Sequence, residues 1–103
     1  MMLFQAIQSI TIAELKGKLT SSIQLIDVRT PNEYRGGHIR QAKNVPLQRI
    51  TSFKGDQDKP VYVICQSGMR SKQATKELNK MGYQAINVRG GMNQWLDKTI
   101  GGK

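Results

Sequence analysis

Residues Val61 to Ser71 read VYVICQSGMRS, and the fold turns on how this stretch is divided. Val61, Tyr62, Val63 and Ile64 form a continuous apolar, β-prone run, the pattern of a strand covered on both faces of a parallel sheet. The only cysteine, Cys65, follows at once. Gln66, Ser67, Gly68 and Met69 are too few and too polar to make another element, and Gly68 permits the positive φ of a tight loop. A helix then begins, with Ala74, Thr75, Leu78 and Met81 at helical spacing. Lys72, Gln73, Lys76, Glu77 and Lys80 fill the other face, and Gly82 stands at the stop position. Cys65 is therefore expected between the end of a strand and the start of a helix.

That place favours a thiolate. The first amides of a helix have no intrahelical acceptors, and the aligned peptide dipoles put partial positive charge there. A free cysteine titrates near pH ~8.5, and a helix N-terminus with a nearby cation lowers this to roughly 3.5–7.5. Arg70 is the expected cation. Amides of Gln66 through Ser71 curled around the sulfur would cradle an anionic group attached to it. A lone cysteine after an apolar strand is otherwise an inert core residue. Here a polar loop with a glycine, an arginine and a helix start points to an anion site, catalytic or merely phosphate-binding.

Working outward, the same alternation of strand and helix recurs. A short strand is expected near Gln5 to Gln8. Thr11 and Glu14 stand at capping-box spacing before Leu15 and Leu19, marking a first helix. Gln24 to Val28 read as a strand, and Thr30, Pro31 and Glu33 repeat the helix-start pattern, with proline at the first helical position. Gly36 and Gly37 end that helix. Ala42 to Val45 read as a short strand before Pro46, and Leu47 to Phe53 as one or two helical turns. Lys54 to Pro60 is a polar loop. Tyr83 to Val88 is a further strand, followed by a turn at Arg89, Gly90 and Gly91 and an amphipathic helix from Met92 to Lys98, with Trp95 and Leu96 covering the sheet. Ile100 to Lys103 are expected to fray. The pattern predicts an α/β sandwich with a mostly parallel central sheet flanked by helices, and ligands at the carboxyl ends of its strands.

At 103 residues the chain suits one domain spanning 1–103. A single cysteine excludes an internal disulfide, and one histidine argues against a metal cluster, so neither metal nor cofactor is expected. The first ten residues lack a basic start and a long apolar run, which argues against secretion or membrane anchoring and for the cytoplasm, where a reactive thiol stays reduced. The formal net charge of +9 attracts anions by long-range steering. No arginine-rich run or aromatic RNA-binding signature accompanies it, so nucleic acid is not an expected partner and a solvated basic surface is the simpler reading.

Two separated stretches resemble the rhodanese family of sulfurtransferases. The first runs from Asp27-Val28-Arg29 through Glu33-Tyr34 and Gly37-His38-Ile39 to Ala42, Asn44, Val45 and Pro46. The second is the CQSGMRS loop, with Gly90-Gly91-Met92 and Trp95 matching the family's C-terminal pattern. The resemblance implies a rhodanese-like three-layer sandwich. It also implies that Cys65 accepts sulfur from thiosulfate or a persulfide donor and passes it to a thiol or a cyanide-like acceptor. Gln66, Ser67, Gly68, Met69, Arg70 and Ser71 would bind the donor, with Arg70 orienting it. Cysteine phosphatases and arsenate reductases compete with this reading. Four residues separate Cys65 from Arg70, one fewer than the phosphatases use, and the smaller ring suits a terminal sulfur better than a phosphoryl group. A second competitor is a sulfur carrier whose basic surface recruits an acidic protein partner. Asp27, Arg29, Glu33 and His38 are read as structural: the first two fixing a strand end, Glu33 a helix cap, His38 a loop.

Overall fold

The computed structural model describes residues 6–102. Strands β1 (Gln8–Ile10), β2 (Gln24–Asp27), β3 (Ala42–Asn44), β4 (Val61–Ile64) and β5 (Ala85–Val88) make, among the described residues, one sheet in the order β1-β5-β4-β2-β3. Every pair in it is parallel. Helices α1 (Ile12–Lys16), α2 (Pro31–Arg35) and α3 (Met69–Lys80) alternate with the strands, joined by 3-10 turns at Leu47–Ser52 and Gly91–Gln94.

The period-two alternation of the strands sorts the core into two layers. Ile26, Val28, Val61, Val63 and Ala85 face Ala74 and Leu78 of α3 and Ile50 of the first 3-10 turn. Leu25, Ile64, Ala42 and Val88 face Ile12 and Leu15 of α1 and Tyr34 of α2, with Met92 and Trp95 at the margin. Both apolar faces of β4 are thus covered, as the run Val61 to Ile64 requires, and the three-layer expectation holds. No described helix is long and apolar enough to cross a membrane.

Three sequence expectations are corrected. The first strand lies at Gln8–Ile10 rather than Gln5 to Gln8, where it pairs Gln8 with Ile86 and Ile10 with Val88; Gln5 lies outside the described residues. The helix expected from Met92 to Lys98 is a single 3-10 turn ending at Gln94, because Trp95 leaves helical geometry and Leu96 is 87% exposed, with no sheet beneath it. Ile100 does not fray. Its N–H and carbonyl exchange hydrogen bonds of 2.9 Å each with His38, and Gly102 N–H donates to the Arg35 carbonyl. The expectation for Lys103 lies outside the described residues.

Candidate active site

The first two helices open with the devices read from the sequence. At α1 and at α2 a threonine side chain accepts from the amide three residues on, while the glutamate there accepts from the threonine's own N–H. Each such cap stabilises a helix start by about 1 kcal/mol. Helix α3 has no such cap. Its N-cap is Gly68 at φ +104°, a left-handed conformation that a side chain disfavours, and lacking a side chain Gly68 caps none of the first amides. The sulfur of Cys65 takes one instead: Gly68 N–H donates to Sγ at 3.0 Å.

Cys65 is fully buried at the end of β4. Burial pushes its thiol up, but the Ser71 hydroxyl and the N–H groups of Ser71, Gly68 and Ser67 outweigh that, and the thiol lies below its ordinary value. The sulfur is therefore enclosed, yet the amides around it point inward. Ser71 is fully buried too, and its hydroxyl donates to Asn87 Oδ1 at 2.6 Å while Sγ donates to Ser71 Oγ at 3.3 Å. With its single proton spent on Asn87, the hydroxyl accepts from the neutral thiol. It must turn toward sulfur to support the thiolate, whereas the backbone amides support it without rearrangement.

The start of the loop is stitched to the turn after β5. Met92 N–H donates to the Cys65 carbonyl at 2.8 Å and Asn93 N–H to the Gln66 carbonyl at 2.9 Å. Gly91, at φ +57°, permits this approach; an added Cβ would collide with the Cys65 carbonyl oxygen. The Gln66 side chain bridges two neighbours, accepting from Arg29 Nη1 at 3.1 Å and donating to Asn93 Oδ1 at 2.7 Å.

Arg70 keeps its charge within electrostatic reach of Cys65, but its guanidinium hydrogen-bonds elsewhere. Its two terminal nitrogens grip Glu33 Oε1 at 2.7 Å and Oε2 at 3.0 Å. Hydrogen bonding from Arg70 holds the Glu33 carboxyl far below the usual range, at about 2, and the pairing raises Arg70 in turn. Glu33 thus caps α2 and also ties the α3 end of the loop to it.

Asp27, Arg29 and His38 have the structural surroundings read from the sequence. Arg29 Nε reaches Asp27 Oδ1 at 2.9 Å and Nη2 reaches Oδ2 at 2.8 Å, both side chains nearly sealed from solvent. Arg29 also donates to the Gly37 carbonyl, and Asn44 donates to the carbonyls of Asp27 and Arg29. His38 stacks on Tyr34 with ring centroids 3.5 Å apart, its Nδ1 2.7 Å from the Tyr34 carbonyl.

Of the residues singled out in the sequence, the structure brings Cys65, Gly68 and Ser71 together and engages Gln66 beside them. It turns Arg70 toward Glu33 and leaves Met69 76% exposed. Asn87 was missed. Its signal was a polar residue inside the buried strand run Tyr83 to Val88, which the strand pattern alone does not distinguish from a tolerated exception.

A family model described as a rhodanese-like domain matches residues 11–98. The chain belongs to the rhodanese-like family. It is 47% identical over 78 residues to the uncharacterized protein YqhL of Bacillus subtilis, covering 73% of this chain and 62% of that protein. It is 38% identical over 97 residues to the putative sulfurtransferase YtwF of the same organism, covering 90% and 94%. Among solved structures, a rhodanese-like domain protein from Staphylococcus aureus superimposes with a TM-score of 0.83 at 36% identity, covering 94% of this chain and all of that one.

Proposed function

We propose that the chain is a rhodanese-type sulfurtransferase that carries sulfur on Cys65. The Cys65 thiolate attacks the outer sulfur of thiosulfate or another sulfane donor. The new S–S bond leaves a persulfide on the enzyme, and the donor's own S–S bond breaks with its electron pair leaving on sulfite from thiosulfate, or on a thiolate from a persulfide donor. A thiophilic acceptor, a thiol or a cyanide-like nucleophile, then removes the outer sulfur and returns Cys65 to the thiolate. Such two-step exchange gives ping-pong kinetics.

The observation that carries this reading is the Gly68 amide on Sγ at the uncapped start of α3. An amide fixed before reaction stabilises negative charge on sulfur without reorganisation. In this reading Gln66, Ser67, Gly68, Met69, Arg70 and Ser71 hold the donor, with Ser71 acting from beneath the sulfur and Arg70 reaching the donor only on leaving Glu33. Family membership and similarity to a putative sulfurtransferase support the same chemistry. The four-residue spacing between Cys65 and Arg70 disfavours phosphate or arsenate as the substrate.

The test is mass spectrometry after donor treatment: Cys65 gains one sulfur, about 32 Da, and loses it to a thiol. Cys65→Ser is expected to abolish both the adduct and turnover while keeping the fold. Retained turnover would sink the proposal.

A second reading, a carrier that hands its persulfide to an acidic protein partner, draws on the complete burial of Cys65 and the net charge of +9. It requires slow transfer to small acceptors and fast transfer within a complex. Rapid steady-state turnover with cyanide or a small thiol would remove it.

A further inference from the structure

One polar side chain of the sheet sits inside the layer beneath α3. Asn87 lies two residues from Ala85 along β5, on the face that looks toward Ala74 and Leu78, where the neighbouring strands present Val61, Val63 and Ile26. It is only 5% exposed. Asn87 is in register with Val63 of β4 on one side and Ser9 of β1 on the other, so its backbone is held from both flanks and the side-chain amide is the part left to turn. An asparagine buried on an apolar sheet face costs stability unless its amide is used.

Ser71 uses it. Thr75, one turn further along α3, sends its hydroxyl proton to the Ser71 carbonyl at 2.7 Å, the local solution for a buried hydroxyl in a helix. Ser71 has no such solution, because it is the third residue of α3 and the residue four back, Ser67, lies before the helix. Its proton has two acceptors in reach, Asn87 Oδ1 at 2.6 Å and Cys65 Sγ at 3.3 Å. With a neutral thiol the chain of donors runs from Sγ–H to Ser71 Oγ–H to Asn87 Oδ1. Once the thiol proton has left, Sγ only accepts; a Ser71 hydroxyl that turns to it presents its lone pairs to Asn87. An amide carries a carbonyl oxygen and an NH2 of similar size on one carbon, and a half-turn exchanges them.

We infer that Asn87 is a positioning residue that reverses the polarity of this chain: when Cys65 ionises, its amide makes a half-turn, Nδ2–H donates to Ser71 Oγ, and Oγ–H donates to Sγ. The hydroxyl proton stays on Oγ and changes only its acceptor, while the thiol proton goes to solvent. An aspartate at this position would accept in both states and an apolar residue would serve neither, whereas the amide serves both. The charged groups nearby are Arg70, held by Glu33 and felt by the thiol, the Asp27–Arg29 pair, and Lys72 and Arg89, which border a cavity with Asn87. Among the described residues none of them hydrogen-bonds to Ser71 or Asn87, so the reversal is confined to these three side chains. The inference bears on the proposed sulfur transfer only through the thiolate it supports.

The half-turn is read by NMR on the free protein, without a sulfur donor. The nuclear Overhauser contact between the Asn87 side-chain NH2 and the Ser71 β-protons is expected to be weak below the Cys65 titration and strong above it. In Cys65→Ser, whose hydroxyl does not ionise, it should stay weak across the same range. Equal intensity on both sides of the titration in the wild type overturns the inference, and so does a contact that strengthens equally in Cys65→Ser. Asn87→Asp keeps the shape but accepts at both ends. It should raise the Cys65 titration, read by thiolate absorbance, and slow thiol alkylation at neutral pH about tenfold, the scale of one hydrogen bond to a charged group. The new carboxylate also repels the thiolate directly, so the same change is made in Ser71→Ala, where the shift reports charge alone and should be the smaller. Equal shifts in the two backgrounds overturn the relay through Ser71. Because neither measurement involves sulfur transfer, failure of this inference and failure of the persulfide reading give different results.

Discussion

Helices α2 and α3 start beyond the ends of neighbouring parallel strands, β2 and β4, and the chain closes the two starts in opposite ways. At α2, Thr30 and Glu33 take each other's backbone amides, and Pro31 removes a third donor from the problem. Both of those amides are satisfied by a side chain three residues away. At α3 the same positions hold Gly68, Met69, Arg70 and Ser71, none of which caps; the first amides are left for the sulfur, and Arg70 is sent 37 residues back to Glu33. A satisfied helix start is inert and contributes stability. An unsatisfied one retains its positive potential, and that potential becomes useful when the atom placed in it can carry charge.

The contrast can be broken most severely at Gly68. Gly68→Ala forces a side chain into left-handed geometry at a cost of roughly 1–2 kcal/mol, with the new Cβ 3.3 Å from the Gly90 nitrogen. It should lower Tm, move the Cys65 titration back up toward the ordinary thiol value, and slow persulfide formation at neutral pH. Thiolate absorbance followed against pH reads the shift; an unchanged titration would mean that the Gly68 amide does not set it. In the wild type the sign runs the other way. A thiol held below its ordinary value stays ionised as pH falls through that value, so the transfer rate should stay level there and decline only at lower pH.

Thr30→Ala is the matched change at the closed start. It should cost about 1 kcal/mol in denaturant unfolding, leave the Cys65 titration in place and so separate capping from activation. A Cys65 titration that moved as far as in Gly68→Ala would erase the distinction drawn here.

The smallest effect is expected at the contact between the two starts. Glu33→Gln removes a pair about one-third exposed at each side chain, which solvent screening limits to less than ~1 kcal/mol. The Glu33 carboxyl lies at about 2 instead of its usual 4.5, so its stabilisation is full above pH 4.5 and is lost as pH falls toward 2. Wild type and Glu33→Gln should therefore differ near neutrality and converge in acid. Parallel unfolding curves across that window would show that the pair contributes nothing.

What could be read in advance followed the range of the interaction. The α2 start was legible because Thr30, Pro31 and Glu33 are neighbours whose chemistry is local, and β4 because four apolar residues in a row leave little choice. Cys65 and Gly68 were legible as a pair for the same reason. The second role of Glu33 was not, since nothing local distinguishes a capping glutamate that also meets an arginine 37 residues away. Nor was the Ser71–Asn87 contact, which depends on how α3 lies against β5. The missing final helix has a more particular cause. Gly91 is pressed against the Cys65 carbonyl, Met92 and Asn93 spend their amides on the loop, and the chain is extended by Trp95.

Those last contacts have a consequence for how the protein is made. Synthesis runs from the amino end, and Cys65 leaves the ribosome well before Met92 and Asn93, whose N–H groups fasten the backbone on either side of its peptide bond. A nascent chain therefore has its thiol before it has the two N–H groups that fasten the loop's backbone, and that support is complete only once residues 92 and 93 have followed.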